Sequence, residues 1–346
     1  MEKVAYIGAA FVISSGLIPL IIKISDLKGW HDPVNSRKMH TDKVPRLGNL
    51  GIVPAFIIIA ALRLLQAGGL PALLQYLPIL GAGIFVFAVG LLDDFIELSA
   101  VAKFIFQCAG CAVPPLFGFR WTHFGPLELG VFSLPLTFLW LIGLVNAYNL
   151  IDGIDALCGG LSFLSLAALA TIFYMTGVDA TLPLILCGGI LGFLFYNKPK
   201  AKIFLGDGGS QFLGFMIAAF PLCAVADTGG NTFPVAAVLA SIPILDTIAA
   251  IWRRTRDKVS FLKPDKAHLH HKLLALGYST AGILFFLYIM QIILCAGSIL
   301  ILARLNDFHG FLLCLGLYAV MGVFFSIIHY TYTAVKLHYP PTPRYF

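Results

Sequence analysis

The chain has 346 residues, 59% of them hydrophobic and only 12% charged, with a mean hydropathy of +0.90. A soluble domain carries about 25% charge, so the composition excludes a soluble globular protein and predicts one all-α, polytopic membrane domain over residues 1–346. The formal net charge is +6, but the basic residues cluster between apolar runs, which reports membrane orientation rather than a nucleic-acid partner, and none is expected.

In chain order, apolar runs predict about 11 transmembrane helices, near 4–22, 48–65, 77–92, 101–118, 132–147, 158–176, 180–196, 209–225, 233–252, 281–303 and 310–334. The first run is long for a signal peptide and no small-residue cleavage site follows it, so it reads as a span. Cys108 and Cys111 form a C-x-x-C inside the fourth run, where they read as small apolar residues on one helix face. The segment "RWTHFGPLELG", 120–130, carries turn residues and a short alternation, which predicts a small extracytoplasmic hairpin. Cutting the chain this way places 19 of the 23 Lys and Arg on one side. By the positive-inside rule that side is cytoplasmic, with the N-terminus outside and the C-terminus in the cytoplasm. Asp93, Asp94, Glu97, Asp152, Asp155 and Asp207 all fall on the same side. Asp246 is the exception, within a span, and predicts a polar cavity or a partner.

Five stretches carry chemistry. "GLLDDFIEL" puts Asp93 beside Asp94 at a helix end, where two carboxylates repel unless a cation or proton lies between them. "NAYNLIDGIDALCGG" places Asn146, Asn149, Asp152 and Asp155 three residues apart between two apolar runs, which predicts a polar stripe on one helix face. "IFLGDGGSQFLG" flanks Asp207 with glycines just before a helix, and the backbone N–H groups of such a start favour phosphate. It is not a Walker A loop, because no Gly-Lys-Ser/Thr follows. "KPDKAHLHHKLLALG" sets His268, His270 and His271 among lysines, without the cysteines or H-E-x-x-H of a zinc site. "NSRKMHTDKVPRLGNLG" is a second basic loop, with Lys43 and Arg46. Acids for a hard cation and bases for phosphates on one membrane face suit phosphoryl transfer, which is mostly positioning and charge neutralisation.

The order DD, N-A-x-N-x-x-D-G-x-D-x-L, F-x-G-D-x-G-S and H-x-H-H resembles the polyprenyl-phosphate N-acetylhexosamine-1-phosphate transferases of the bacterial plasma (inner) membrane, over most of the chain. The resemblance implies transfer of a sugar 1-phosphate from a UDP-sugar to undecaprenyl phosphate, with release of UMP and a need for Mg²⁺, Mn²⁺ being an alternative. It implies Asp207 as principal metal ligand with Asn149 beside it. Asp93 would hold or deprotonate the lipid phosphate, Asp94 would support the metal region, and Asp152 and Asp155 would position the nucleotide and sugar phosphate. His268, His270 and His271 would bind the diphosphate or uridine, and Lys103, Arg46 and Lys43 would contact phosphates. "HLHH", eleven spans and a cytoplasmic C-terminus are similar to the branch that uses UDP-N-acetylglucosamine to begin lipopolysaccharide or teichoic acid synthesis. The phospho-N-acetylmuramoyl-pentapeptide branch has three consecutive histidines and is the alternative. The interposed Leu269 predicts, on a helix, a rotation of roughly 100° that re-aims His268. Asn49 departs from the family pattern, where a second glycine is usual. Membrane lipid is an expected partner, and a homodimer is compatible with the sequence. From another class, an ion-coupled transporter would place its acids near the bilayer midplane and show repeated halves, and neither is visible.

Overall fold

The computed structural model describes residues 2–31, 44–224, 230–259 and 268–338. Lys43, Lys263 and Lys266 lie outside them. The described chain is almost wholly helical: α1 (Glu2–Lys28), α2 (Asn49–Ile96), α3 (Ala100–Leu116), β1 (His123–Phe124), β2 (Leu127–Glu128), α4 (Ser133–Ile151), α5 (Leu157–Thr176), α6 (Thr181–Asn197), α7 (Gly206–Ala219), α8 (Thr232–Leu239), α9 (Ser241–Arg256), α10 (Leu269–Ala275), α11 (Thr280–Arg304) and α12 (Asp307–His338). It is an all-α polytopic membrane protein. Each expected span falls on a helix or part of one. Among the described residues six helices, α2 counted once, are long and apolar enough to cross a bilayer, or seven if α8 and α9 are one bent span.

One expectation is refined and one corrected. The runs 48–65 and 77–92 are two helices, as expected, with no loop between them, and together they make up α2. It kinks at Gly68 and Gly69, where Gly69 takes φ 65° and ψ −155°, so one left-handed residue replaces a connection. The run 233–252 is not straight, because α8 and α9 meet at 77°. Pro243 in the first turn of α9 has no N–H for the carbonyl of Leu239. That carbonyl accepts instead from Ser165 Oγ at 3.0 Å and Gln291 Nε2 at 2.8 Å, so the bend leaves no bare oxygen. The hairpin expected at 120–130 is present, with His123 paired to Glu128 and Phe124 to Leu127.

Lipid tails are as apolar as leucine, so close packing rather than water exclusion holds such helices together. Helix α6 meets α1 through Gly188 and Gly192, where an added Cβ would lie 2.4 Å from the Ile7 carbonyl oxygen and 2.8 Å from that of Phe11. Ser14 Oγ donates to the Gly189 carbonyl across the same seam, at 2.8 Å. Helix α7 is the keystone: it packs most extensively on α2 and α4, and every residue in it except Asp207 is buried. Gly90 of α2 permits the approach, since a Cβ there would lie 2.6 Å from the Gly208 Cα.

Candidate active site

The chemistry-bearing residues gather at one end of the bundle. Helices α2 and α3 are joined by a turn of residues 97–99, in which Glu97 takes a left-handed backbone (φ 50°). Ser99 caps α3 by accepting from the Ala102 N–H. Asp93 fixes this corner: its Oδ1 accepts from the Leu98 N–H at 2.7 Å and its Oδ2 from Lys103 Nζ at 2.7 Å. The same ammonium reaches a carboxylate oxygen of Asp207, so Lys103 sits between two acids from α2 and α7.

Asp94 does different work. Gly206 turns the chain into α7 at φ 78°, leaving the first amides of the helix without intrahelical acceptors. Asp94 Oδ1 accepts from the Asp207 N–H at 2.8 Å, and Oδ2 from the Gly208 N–H at 3.1 Å. The amides expected to face a phosphate are therefore capped by a carboxylate from a neighbouring helix. Asn49 Nδ2 donates to the same Asp94 Oδ2 at 3.1 Å. Residues 45–49 run alongside 204–205, with Gly48 N–H donating to the Phe204 carbonyl at 2.9 Å and Phe204 N–H to the Pro45 carbonyl at 2.8 Å. Asn49 thus replaces glycine with a side chain that joins this seam to Asp94. Arg46, in the same segment, lies close enough for its charge to act on Asp94, Asp152 and Asp207.

The polar stripe of 146–155 is broken. Helix α4 ends at Ile151, and Asp152 caps it at φ −76°, ψ 57°. Asn149 Nδ2 donates to Ser210 Oγ at 3.0 Å, and Ser210 Oγ to the Asp207 carbonyl at 3.3 Å, so Asn149 is beside Asp207 through one hydroxyl. Asp152 joins this cluster: burial first, then the charge of Asp207, pushes its carboxyl up to about 8 against the pull of Arg46. Asp155 touches it through its charge, which also acts on Asp152. Its Oδ2 accepts from the Lys200 and Ala201 N–H groups at 3.1 Å each, fixing the loop into α7.

The histidines dock on the α4–α5 turn. His268 lies outside α10, so the expected helical rotation does not apply, and Asp246 orients it instead. Asp246 Oδ2 pairs with His268 Nδ1 at 2.8 Å, and Oδ1 accepts from the Leu269 N–H at 2.8 Å. That is the partner the in-span acid called for. The His270 ring is parallel to that of His268, 6.2 Å between centroids, and 4.2 Å from that of His271. It packs on Gly153, where a Cβ would come within 2.0 Å of Nε2. His270 is 1% exposed; burial, with the charge of His271, drops its imidazole to about 3, so it stays neutral at physiological pH.

Among the described residues no three His, Cys, Asp or Glu side chains form a ready metal cluster. The donor set nevertheless fits Mg²⁺, which is commonly held by one or two carboxylates plus substrate phosphates rather than by a protein cage. The Lys103 ammonium between Asp93 and Asp207 marks where positive charge is favoured.

Residues 76–225 match the sequence profile of glycosyl transferase family 4. The chain is 33% identical over 313 residues to a probable undecaprenyl-phosphate N-acetylglucosaminyl 1-phosphate transferase of Bacillus subtilis, covering 87% of this chain and 86% of the relative. The chain belongs to glycosyl transferase family 4. Other family 4 relatives include the decaprenyl-phosphate N-acetylglucosaminephosphotransferase of Mycobacterium tuberculosis, 32% identical with 76% of this chain and 73% of the relative covered. The undecaprenyl-phosphate alpha-N-acetylglucosaminyl 1-phosphate transferase of Escherichia coli K12 is likewise 32% identical, with 75% and 72% covered. The family 4 match contains Asp93, Asp94, Lys103, Asn149, Asp152, Asp155 and Asp207, and excludes Arg46, Asp246 and the histidines. The chain is therefore a transferase.

Proposed function

We propose that this transferase moves N-acetylglucosamine 1-phosphate from UDP-N-acetylglucosamine to undecaprenyl phosphate, releasing UMP, at the cytoplasmic face of a bacterial plasma membrane. The observation that carries the reading is the Lys103 bridge between Asp93 and Asp207 at the bundle end where Asn149, Asp152 and the histidine loop also meet. The relatives above carry N-acetylglucosamine and a polyprenyl phosphate in their names, and none of them is named for a muramoyl peptide or a transport activity.

In this reading Asp207 and Asn149 would hold Mg²⁺ together with the diphosphate of the donor, and the chemistry it would supply there is neutralisation of the diphosphate charge, which favours departure of UMP. Both oxygens of Asp93 are engaged, one by Leu98 N–H and one by Lys103. Asp93 therefore orients the ammonium, and Lys103 receives the lipid phosphate, whose oxygen attacks the β-phosphorus. Asp94 holds the start of α7, and with it Asp207, in place through two backbone amides. Asp152 faces the nucleotide side, as a hydrogen-bond donor when protonated and an acceptor when ionised. Neutral His270 and its neighbours close the donor pocket over Gly153. Asp155 contributes by fixing the 200–201 turn.

The test is UMP release by purified protein from a panel of UDP-sugars, with and without Mg²⁺ and undecaprenyl phosphate. Release from UDP-N-acetylglucosamine that needs both additions is expected. UDP-N-acetylmuramoyl-pentapeptide as preferred donor would overturn the sugar assignment, and release without a lipid acceptor would overturn the transfer reading.

A further inference from the structure

Beneath the ion cluster lies a second polar layer. Gln107 is four residues beyond Lys103 on α3, Gln211 four beyond Asp207 on α7, and Asn146 three before Asn149 on α4. Each amide is thus about one helical turn, roughly 4.5–6 Å, further into the bundle than its site residue. They bond in series: Asn146 Nδ2 donates to Gln107 Oε1 at 3.1 Å, and Gln107 Nε2 to Gln211 Oε1 at 3.0 Å. Gln107 and Gln211 are 1% and 0% exposed. Gln211 Nε2 has no acceptor among the described residues.

Stability alone does not call for this layer. Three apolar side chains would pack the α3–α4–α7 interface without an orphaned donor. What directional bonds add is register: an amide bridge allows one rotation and one axial position of each helix, whereas a leucine seam tolerates sliding. Helix α3 needs that constraint most, because many of its side chains, among them Phe104, Ile105 and Phe106, are exposed on its outer face.

We propose that Gln107 is a positioning residue for the transfer reaction: through Asn146 and Gln211 it fixes α3 so that Lys103 stands between Asp93 and Asp207. The proposal rests on the transferase reading. It predicts that losing Gln107 costs turnover through Lys103 and not through the donor pocket, which other elements build.

The experiment compares Gln107→Leu, Gln211→Leu and the double variant in purified protein, by thermal midpoint and by steady-state transfer. Gln107→Leu should lower the midpoint by leaving Gln211 bare. The Leu/Leu pair should recover most of it, because neither glutamine is then left bare and Asn146 Nδ2 keeps the Ile142 carbonyl at 2.9 Å. Turnover should stay down about 10–100-fold in both, the scale of a small misplacement of a reacting group, with the KM for the UDP-sugar changed less than about threefold. In a Lys103→Gln background, Gln107→Leu should cost nothing more. Turnover that recovers with stability in the pair would reduce Gln107 to a packing role and overturn the proposal, as would losses that multiply in the Lys103→Gln background. The thermal cycle needs no activity. An inactive wild type would sink the transferase reading, and additive midpoint losses would sink the amide layer by themselves.

Discussion

Asp207 is the one residue of α7 that is not buried; its carboxylate pairs with Lys103 and its charge acts on Asp152, while Asn149 reaches its backbone carbonyl through Ser210. Asp207→Asn should reduce transfer about a thousandfold, corresponding to ~4 kcal/mol of lost charge stabilisation, while leaving insertion and yield unchanged. Normal turnover of that variant at low millimolar Mg²⁺ would remove Asp207 from the metal site. Asp152 offers a pH test. Its carboxyl is pushed up to about 8 in the folded protein, from 3.8. Folding therefore favours the protonated form, and this contribution, full below 3.8, is lost as pH rises toward 8. Asp152→Asn stays neutral, so without substrate its thermal midpoint should exceed that of wild type at pH 8.5, by a margin that narrows steadily as pH falls toward 4, although its transfer falls. A constant difference across that range would refute the raised carboxyl. At this scale the sequence revealed which residues matter, because acids and amides in apolar surroundings need a reason. It did not reveal which oxygen serves which partner. Asp94 and Asp155 read as site carboxylates, yet their oxygens hold backbone amides contributed by distant segments.

Among elements, packing at two glycines decides the site's shape. Gly90 allows α2 to touch the first turn of α7 backbone to backbone, so Gly90→Ala must push the two apart. We expect a loss of about 1–3 kcal/mol or more, read as a lower thermal midpoint and lost transfer. Gly81→Ala, whose Cβ meets a neighbour only at 3.9 Å, should be mild. Equal effects of the two would argue against the α2–α7 contact. Gly153→Ala should unseat His270, raising the KM for the UDP-sugar more than it lowers turnover, and should leave the Asp93–Lys103–Asp207 bridge intact. An unchanged KM would detach the histidine loop from the donor. Helix positions were legible from hydropathy, and the 120–130 hairpin from its turn residues. The bend inside the run 233–252 was not, because a proline bend leaves hydropathy unaltered. The stripe at 146–155 misled for a related reason: a spacing of three persists in sequence after α4 has ended at Ile151.

For the whole molecule, the charge asymmetry predicts an orientation that the bundle makes testable. Lys198 and Lys258 are exposed at the end that carries the site, and Glu128 is exposed in the hairpin. Single cysteines there, in a cysteine-free background, should report sidedness to impermeant thiol reagents in intact cells. Glu128→Cys should label, and Lys198→Cys and Lys258→Cys should not. The reverse pattern would invert the topology and separate the site from cytosolic UDP-sugars. The all-α class and the gathering of the motifs at one end could be read from composition and loop charge, whereas the central place of α7 could not, since it is the shortest of the main helices. That centrality bears on biosynthesis. Asp94 is made 113 residues before the amide it caps, roughly 6–20 s earlier at ~5–20 residues per second. Until α7 emerges, the first six helices have a hole at their centre and an uncapped carboxylate at its rim. A ribosome stalled in that interval would leave an open, adhesive intermediate in the membrane, the state on which an insertase or a quality-control protease would act.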